Sequence, residues 1–485
     1  MGLKSLIQNW LEIQPPDKYT VTVKQYTDFR GECNRALMWY RGEPFELKQF
    51  YEQAIDARSG GFWSAVPRFA IRKIHSGVPS LIVNTLSGII TRNYNGVIIS
   101  DDDLQTTWEK IAEENGIKRL IEEAAKKACV TGEAYFKISA DTALSKYPII
   151  EVKGADSADV ITRRGRVVEY IFSSYYKKGS YRYVLKEHYG RGYIRYELLD
   201  ENGETRNVDE IPETAGLRNM TYNGDFFLCS QFVFRRSNDY AGRGESVYHG
   251  KYGAFDALDE IVSQWADIFR AARPKQYVPE TLAPRDDYGR ILRPNDFDDR
   301  YIVTKSDGAE NSGDRIETYQ PEIRSDQYVQ GYTTYLDLAI EGIISPSTLG
   351  VDNKKLDNAE AQREKEKVTL YTVNKMTDAL ETAIRNLVIS SLKIYQLMTD
   401  GKAAEDIDVN VKFGEYANPS FEAVVETLSK AKSAGIMSNA QIVEQLYGDT
   451  MSDEDKEKEV EALDKENNYT TAIGDEPFIS SYDGE

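Results

Sequence analysis

The chain has 485 residues, of which 41% are hydrophobic and 29% are charged, and its net charge at pH 7 is −19. This composition is typical of an ordinary folded protein, and the length predicts two or more packed units. The acidic excess argues against a broad basic face that grips a nucleic-acid backbone. Because every apolar run is short or interrupted, we expect a soluble protein with no signal peptide and no membrane contact.

The number and spacing of the cysteines and histidines limit which disulfides and metal sites the chain could form. Cys33, Cys129 and Cys229 are far apart and odd in number, which argues against a disulfide framework and suits a reducing cytoplasm. The three histidines stand alone, and no Cys or His pair has zinc-site spacing. We therefore expect no structural metal site.

The first part of the chain has helical patterns followed by a strand. Helices are predicted over residues 46–57, 79–90, 101–114 and 117–129. Proline or aspartate stands at or just before the start of each of the first three ranges, and a glycine follows the range 101–114. Residues 133–138 alternate as a strand does. The sequence therefore begins with a helix-rich region.

Residues 147–234 have period-two patterns instead. Runs rich in Val, Ile, Tyr and Phe are separated by segments with turn chemistry, which predicts one antiparallel meander. Arg163, Arg164 and Arg166 lie in a predicted hairpin of this region, where we expect them to pair with acidic groups of adjacent subunits. The predicted strands are residues 149–152, 167–176, 181–189, 193–199 and 226–234.

The last part of the chain is strongly helical. Residues 249–273 and 325–344 have aromatic and apolar side chains on one face, and between them residues 275–324 form a small folded excursion with a strand at 301–303. A polar loop precedes the longest helical pattern, residues 358–399. Shorter helices are predicted over residues 421–435 and 439–448, and the acidic tail after Ser452 is expected to be mobile.

No motif assembles a reactive centre. A phosphate-binding loop is absent, and Gly242-x-Gly244 is interpreted as a flexible turn capped by Ser246. The aspartates at 101–103 and at 296, 298 and 299 lack the pattern of a calcium loop, and neither His188 nor His249 has a nucleophile beside it. We predict no catalytic residue, no cofactor and no metal.

Three passages resemble phage portal proteins of the SPP1 type. The first is the helix-to-strand passage of residues 120–138, with its Thr-Gly-Glu-Ala-Tyr step. The second is Gly-Glu-Ser-Val-Tyr at 244–248 with the helix that follows. The third is Ile-Ser-Pro-Ser-Thr-Leu-Gly at 344–350 with the charged run at 358–367. Together the three passages extend the resemblance over nearly the whole chain, about residues 44–448. The alternatives to a portal protein are a metal-dependent DNA-processing enzyme and another structural part of a virion, such as a capsid or adaptor protein.

The resemblance implies an α+β, mainly helical portal fold that assembles as a ring of twelve subunits. The implied mapping is an N-terminal arm (1–43), a wing (44–238), two stem helices (249–273 and 325–344), a clip (275–324), a tunnel loop (347–357), a long wing helix (358–399), a crown (401–451) and an acidic tail (452–485).

The resemblance also implies a function and partners. Such a ring sits at a capsid vertex of the virion, is assembled in the host cytoplasm and passes double-stranded DNA without reading its sequence. Its partners would be the terminase large subunit, the head–tail adaptor, and the major capsid and scaffolding proteins. Within the tunnel loop, Asp352, Asn353, Lys354 and Lys355 would face the DNA, with the lysines making weak phosphate contacts. The aromatic face of residues 252–269 would be buried against neighbouring subunits.

Overall fold

The computed structural model describes residues 29–54, 61–63, 71–292, 301–305, 315–351, 359–399, 401–404, 406–414, 421–433, 436–447 and 453–473. The chain divides into two compact units, residues 1–416 and residues 417–485. The described residues combine helices with mainly antiparallel sheets. The predicted α+β, mainly helical fold class is therefore confirmed.

Five helices open the described part of the first unit, and their ends follow from local chemistry. The side chain of Asp101 accepts a hydrogen bond from the backbone N–H of Leu104 at 3.0 Å, which caps the fourth helix. Gly116 has a φ of 63° and links the fourth helix to the fifth, because a left-handed backbone suits glycine. The five helices are α1 (Phe29–Arg41), α2 (Pro44–Ala54), α3 (Val78–Asn93), α4 (Asp102–Asn115) and α5 (Ile117–Thr131).

A two-stranded sheet joins distant parts of this unit. Strand β1 (Tyr94–Ile99) pairs antiparallel with Val409–Phe413, a strand about 310 residues further along the chain. The sequence pattern predicted neither strand, because each is short and is not bounded by turn signals on both sides. The second strand lies inside the range predicted as the crown, yet it pairs with a strand from the range predicted as the wing.

The predicted single meander is wrong, because the structure divides it into two sheets. In the three-stranded sheet, β2 (Ala134–Ser139) lies between β3 (Ile149–Gly154) and β10 (Cys229–Phe232). The other sheet has six strands, five of them in the order β4 to β8, with β9 pairing to β7. Its strands are β4 (Ala158–Arg163), β5 (Arg166–Lys178), β6 (Tyr181–Gly190), β7 (Tyr193–Asp200), β8 (Thr205–Arg206) and β9 (Met220–Thr221).

Burial explains this division. Five consecutive residues of β2 are buried, so this strand needs partners on both edges and apolar cover on both faces. The six-stranded sheet adds its own small cluster of Leu185, Leu198 and Ile211, away from the main core. The main core contains large, fully buried side chains from helices and sheets alike, among them Trp39, Tyr135, Phe136, Phe172, Tyr189, Phe232 and Phe255.

The predicted order of helix, excursion, helix and long helix is confirmed. Helix α6 (Tyr252–Ala271) is followed by three short strands, and then by α7 (Ser325–Ile340) and the 41-residue α8 (Ala359–Thr399). At 1.5 Å per residue α8 extends about 61 Å. The short strands form a mixed sheet of β12 (Tyr301–Thr304), β11 (Lys275–Pro279) and β13 (Glu317–Tyr319), and β14 (Val409–Phe413) follows α8.

The second unit has three helices among its described residues, namely α9 (Phe421–Ser433), α10 (Asn439–Tyr447) and α11 (Asp453–Ile473). The last helix differs from the mobile tail that the sequence predicts from residue 452 onward. Lys456 lies 3.1 Å from Glu444, and Asn439 donates a hydrogen bond to Asp464. Contacts to α10 and charge pairs within α11 therefore stabilise a segment whose composition alone predicts disorder.

Candidate functional site

The residues predicted to face DNA follow α7 in the chain. Asp352, Asn353, Lys354 and Lys355 lie outside the described residues. The segment before them, Ser345–Val351, is described and forms tight turns. The N–H of Thr348 donates to the carbonyl of Ser345, and the N–H of Val351 donates to that of Pro346. The loop therefore begins from a folded base.

Thr369 connects this loop base to α8. Its side chain is fully buried, and its Oγ1 accepts a hydrogen bond from the N–H of Ser345 at 2.8 Å. The hydroxyl of Thr348 lies 2.8 Å from the same oxygen. One threonine thus satisfies a buried backbone donor just after α7 and holds the turn against the long helix. The sequence analysis did not find this residue, because a single threonine within a helix has no pattern.

Helices α6 and α7 pack against each other in antiparallel orientation. At one end the rings of Trp265 and Tyr328 stack with centroids 6.0 Å apart. At the other end Lys251 Nζ donates to the carbonyl of Leu338 at 2.9 Å. Between them, a side chain at Gly331 would meet Ile261 at 3.1 Å, so glycine permits the close approach of the two helices.

Two aspartates, the fully buried Asp259 and the half-buried Asp256, fix α6 to the segment before α3. The carboxylate of Asp259 is fully buried and accepts from Trp63 Nε1 at 3.1 Å and from the N–H of Ser76 at 2.8 Å, and His75 Nδ1 lies 2.7 Å from it. Asp256 accepts from the N–H of Phe62 at 2.7 Å. The pKa of Asp256 is raised, because burial raises it by more than this backbone hydrogen bond lowers it. The helix is therefore anchored by polar contacts as well as by the core.

The aromatic stripe of α6 has two different halves. Tyr252, Phe255 and Leu258 are buried in the core of the same chain, so the prediction that this half is covered by neighbouring subunits is wrong. Nearer the C-terminus of α6, Phe269 is 53% exposed, and Val329 on α7 is 49% exposed. The helix pair therefore leaves apolar surface uncovered at the end away from the core, and Leu338 of α7 is also 46% exposed near the core end.

The same helix pair is acidic. Together α6 and α7 carry six acidic side chains and one arginine, but Asp259 is buried and Asp256 is half-buried, so four acidic side chains remain for the outer surface. The phosphate groups of DNA near such a surface are attracted only weakly. The DNA therefore meets no deep electrostatic minimum that would hold it in one place. This charge is compatible with a surface along which nucleic acid moves, and it is also compatible with ordinary solvation.

The interpretation of Gly242-x-Gly244 as a flexible turn capped by Ser246 is wrong. Arg243 lies between these glycines and pairs with the fully buried Glu133 at 2.7 Å, while the N–H of Gly244 donates to the same carboxylate at 2.9 Å. Ser246 instead accepts from the N–H of Tyr248. A charged partner about 110 residues away makes this stretch a buried junction, which local sequence does not reveal.

The remaining candidates for chemistry lie apart from one another. His188 lies 3.2 Å from Glu169 on a sheet face, while His249 is half exposed beside Glu245. All three cysteines are free and buried, and burial raises the pKa of each thiol, so the thiolate form is disfavoured. Within the described part of the chain, no group of three or more His, Cys, Asp or Glu side chains could hold a metal ion, and no helix is long and apolar enough to cross a membrane.

Comparison with known proteins identifies the class as phage portal proteins. The family that matches is described as phage portal protein, SPP1 Gp6-like, and the match covers residues 22–471. The chain belongs to this family, as the three passages in its sequence predict. No curated protein matches the chain in sequence.

Solved structures from gene transfer agent (GTA) particles are similar to the chain at 13–14% identity. A chain from "Virion of native gene transfer agent (GTA) particle" has a TM-score of 0.43 and 13% identity, over 86% of this chain and 93% of that one. A chain from "Neck of native GTA particle computed with C12 symmetry" has a TM-score of 0.40 and 13% identity, over 76% and 90%. A chain from "Neck of empty GTA particle computed with C6 symmetry" has a TM-score of 0.39 and 14% identity, over 78% and 95%.

Proposed function

We propose that this chain is the subunit of a twelve-membered portal ring through which double-stranded DNA enters and leaves a virion capsid. The observation that carries the proposal is the family match over residues 22–471. The ring would be assembled in the host cytoplasm, remain at one capsid vertex and contribute no enzymatic activity. Its partners would be the terminase large subunit during packaging, the head–tail adaptor afterwards, and the major capsid and scaffolding proteins.

Most of the described elements can each be assigned to one part of a portal subunit. In the proposal, α6 and α7 are the stem that surrounds the channel, and the mixed sheet β12–β11–β13 is the clip that meets the terminase and the adaptor. The helix α1 belongs to the N-terminal arm. The helices α2 to α5, the three-stranded and six-stranded sheets and α8 form the wing, and the second unit supplies most of the crown. The exposed apolar side chains of the stem then have a second copy to cover them.

The charge of the proposed channel supports passage rather than retention of DNA. An acidic stem repels phosphate groups, so the energy of the DNA varies little as it slides. Lys354 and Lys355 in the tunnel loop would add weak contacts that do not depend on sequence. Thr369 would hold the base of that loop against α8.

The ring is tested by negative-stain microscopy of the purified chain together with its mass in solution. We expect annular particles with an axial hole when viewed end-on. A monodisperse monomer at high concentration, with no rings at any salt concentration, would contradict the proposal.

The tunnel loop is tested by reversing its charge. The variant K354E/K355E should assemble as the wild type does but alter DNA packaging or retention, because the lysine–phosphate contacts become repulsive. The control is K110E/K118E, which makes the same change of charge on helices α4 and α5. If K354E/K355E packages and retains DNA as the control does, the loop has no role in DNA contact.

A further inference from the structure

The hairpin between β4 and β5 has an unusual tip. Its turn residues are Arg164, with a φ of 51°, and Gly165, with a φ of 75°. Among the described residues, Arg164 is the one non-glycine residue with positive φ, a conformation in which its Cβ crowds the backbone. Arg163 and Arg166 lie directly opposite each other in the ladder. Two like charges and a strained turn residue therefore share a single turn.

Nothing in the described part of the same chain compensates for this arrangement. The three arginines are exposed, and no ion pair to a described carboxylate stabilises any of them. Like charges directly opposite in a hairpin are unfavourable, and asparagine or glycine suits the position of Arg164 better. Because these features disfavour the isolated hairpin, the tip is better suited to an anionic partner than to water.

The flanks of the tip indicate a protein partner. Ile161 is 45% exposed and Val168 is 44% exposed, one on each strand beside the arginines. Val168 is the extra residue of a β-bulge, since Ile161 pairs with Glu169 and Thr162 pairs with Val167. Arginine combined with exposed aliphatic side chains is typical of protein interfaces, whereas surfaces that bind nucleic acid are more polar and more positive.

The opposite edge of the same sheet has the opposite charge. Residues 200–218, which include β8 and end just before β9, contain six acidic and two basic side chains. Both basic side chains, Arg206 and Arg218, already pair within this segment, with Asp200 and Asp209 respectively. The acidic excess remains exposed: it includes Glu201 and Glu213, and Glu204 is exposed as well although it also lies 2.9 Å from Arg206.

We propose that the arginine hairpin of one copy (Ile161–Val168) binds the acidic edge (residues 200–218) of a second copy. Arginine presents a planar fork of donors that suits carboxylate oxygens, and Ile161 and Val168 would be covered in the same contact. Because the two surfaces differ, the contact runs head to tail and can repeat around a ring. The inference depends on the proposed function only in that a portal ring supplies the second copy.

The test is a charge swap between the two edges. R163E/R164E/R166E should raise the subunit concentration at half-assembly by about tenfold or more, because close charge pairs across an interface couple strongly. E201K/E204K/E213K should do the same alone, and an equimolar mixture of the two variants should recover part of the assembly. The control R92E/K110E/K118E makes the same change of charge on α3, α4 and α5, and it should assemble as the wild type does.

The readout is particle mass in solution at low and high salt, with thermal unfolding of each variant as a check on folding. R164G offers a second variant that relieves the positive φ, so it should fold at least as stably as the wild type and still assemble less well. If the wild type forms no oligomer, the proposed function fails. If the wild type forms rings and the arginine variant assembles equally well, the ring stands and the inference is overturned. The inference is also overturned if the arginines bind duplex DNA without affecting assembly.

Discussion

Removal of the Asp259 carboxylate should loosen α6 from the segment before α3. In the variant D259A the indole N–H of Trp63, the ring N–H of His75 and the N–H of Ser76 all lose their acceptor in a buried place. Hydrogen bonds to a charged group contribute about 1.5–3 kcal/mol each, and three donors share this one carboxylate. These contributions overlap, so we expect a loss of about 3–5 kcal/mol of unfolding free energy.

Two further variants show whether the hydrogen bonds cause this loss. D259N keeps one acceptor oxygen and should lose about half as much, because its amide group cannot accept from every donor. W63F removes one donor. The loss of unfolding free energy that it causes should be about 1–2 kcal/mol smaller in the D259A background than in the wild type. The unfolding free energy is measured by urea titration with circular dichroism, at one subunit concentration for all variants.

Hydrogen exchange gives an independent local readout. In D259A the amide of Ser76 should exchange much faster, whereas amides in the six-stranded sheet should keep their protection. A loss below about 1 kcal/mol in D259A, or costs of D259A and W63F that simply add, would refute the view that this carboxylate anchors the stem helix.

Three other predictions concern different parts of the chain. Burial alone would raise the pKa of Glu169, but hydrogen bonds from His188 and its neighbours lower it below the ordinary value of 4.5. The stability from this group is therefore present above that value and lost as pH falls through the lowered pKa, so wild type should lose more unfolding free energy than E169Q between about pH 6 and pH 3. Gly331→Leu should cost about 1–3 kcal/mol in urea unfolding because it forces α6 and α7 apart, whereas Gly331→Ala meets only the end of Ile261 and should cost less. Thr369→Val should cost about 1–3 kcal/mol and Thr369→Ser much less, because only valine leaves the backbone N–H at the loop base unpaired; equal costs would rule out that hydrogen bond.

Local chemistry in the sequence determined the order and type of most elements. Asp101 before an apolar-periodic run and Gly116 after it predicted the limits of α4 to within a residue, because caps and left-handed turns depend on neighbouring residues only. The long helix and the pair of helices around the excursion were predicted from apolar side chains at helical spacing, which is also a local property of the sequence. The passages that resemble portal proteins also identified the family, since their order is a property of the sequence.

Contacts between distant residues were decided only in the folded chain. Nothing near Gly242 indicates that Arg243 pairs with Glu133, and nothing near Tyr94 indicates a partner strand beginning at Val409. The predicted meander is divided between two sheets because β2 is buried on both faces. The helices that cover β2 come from other parts of the chain. Local propensity and capping operate over a few residues and can be read directly from the sequence. Strand pairing, buried charge pairs and the division of an apolar stripe into covered and exposed halves depend on which surfaces meet, and the tertiary structure alone decides that.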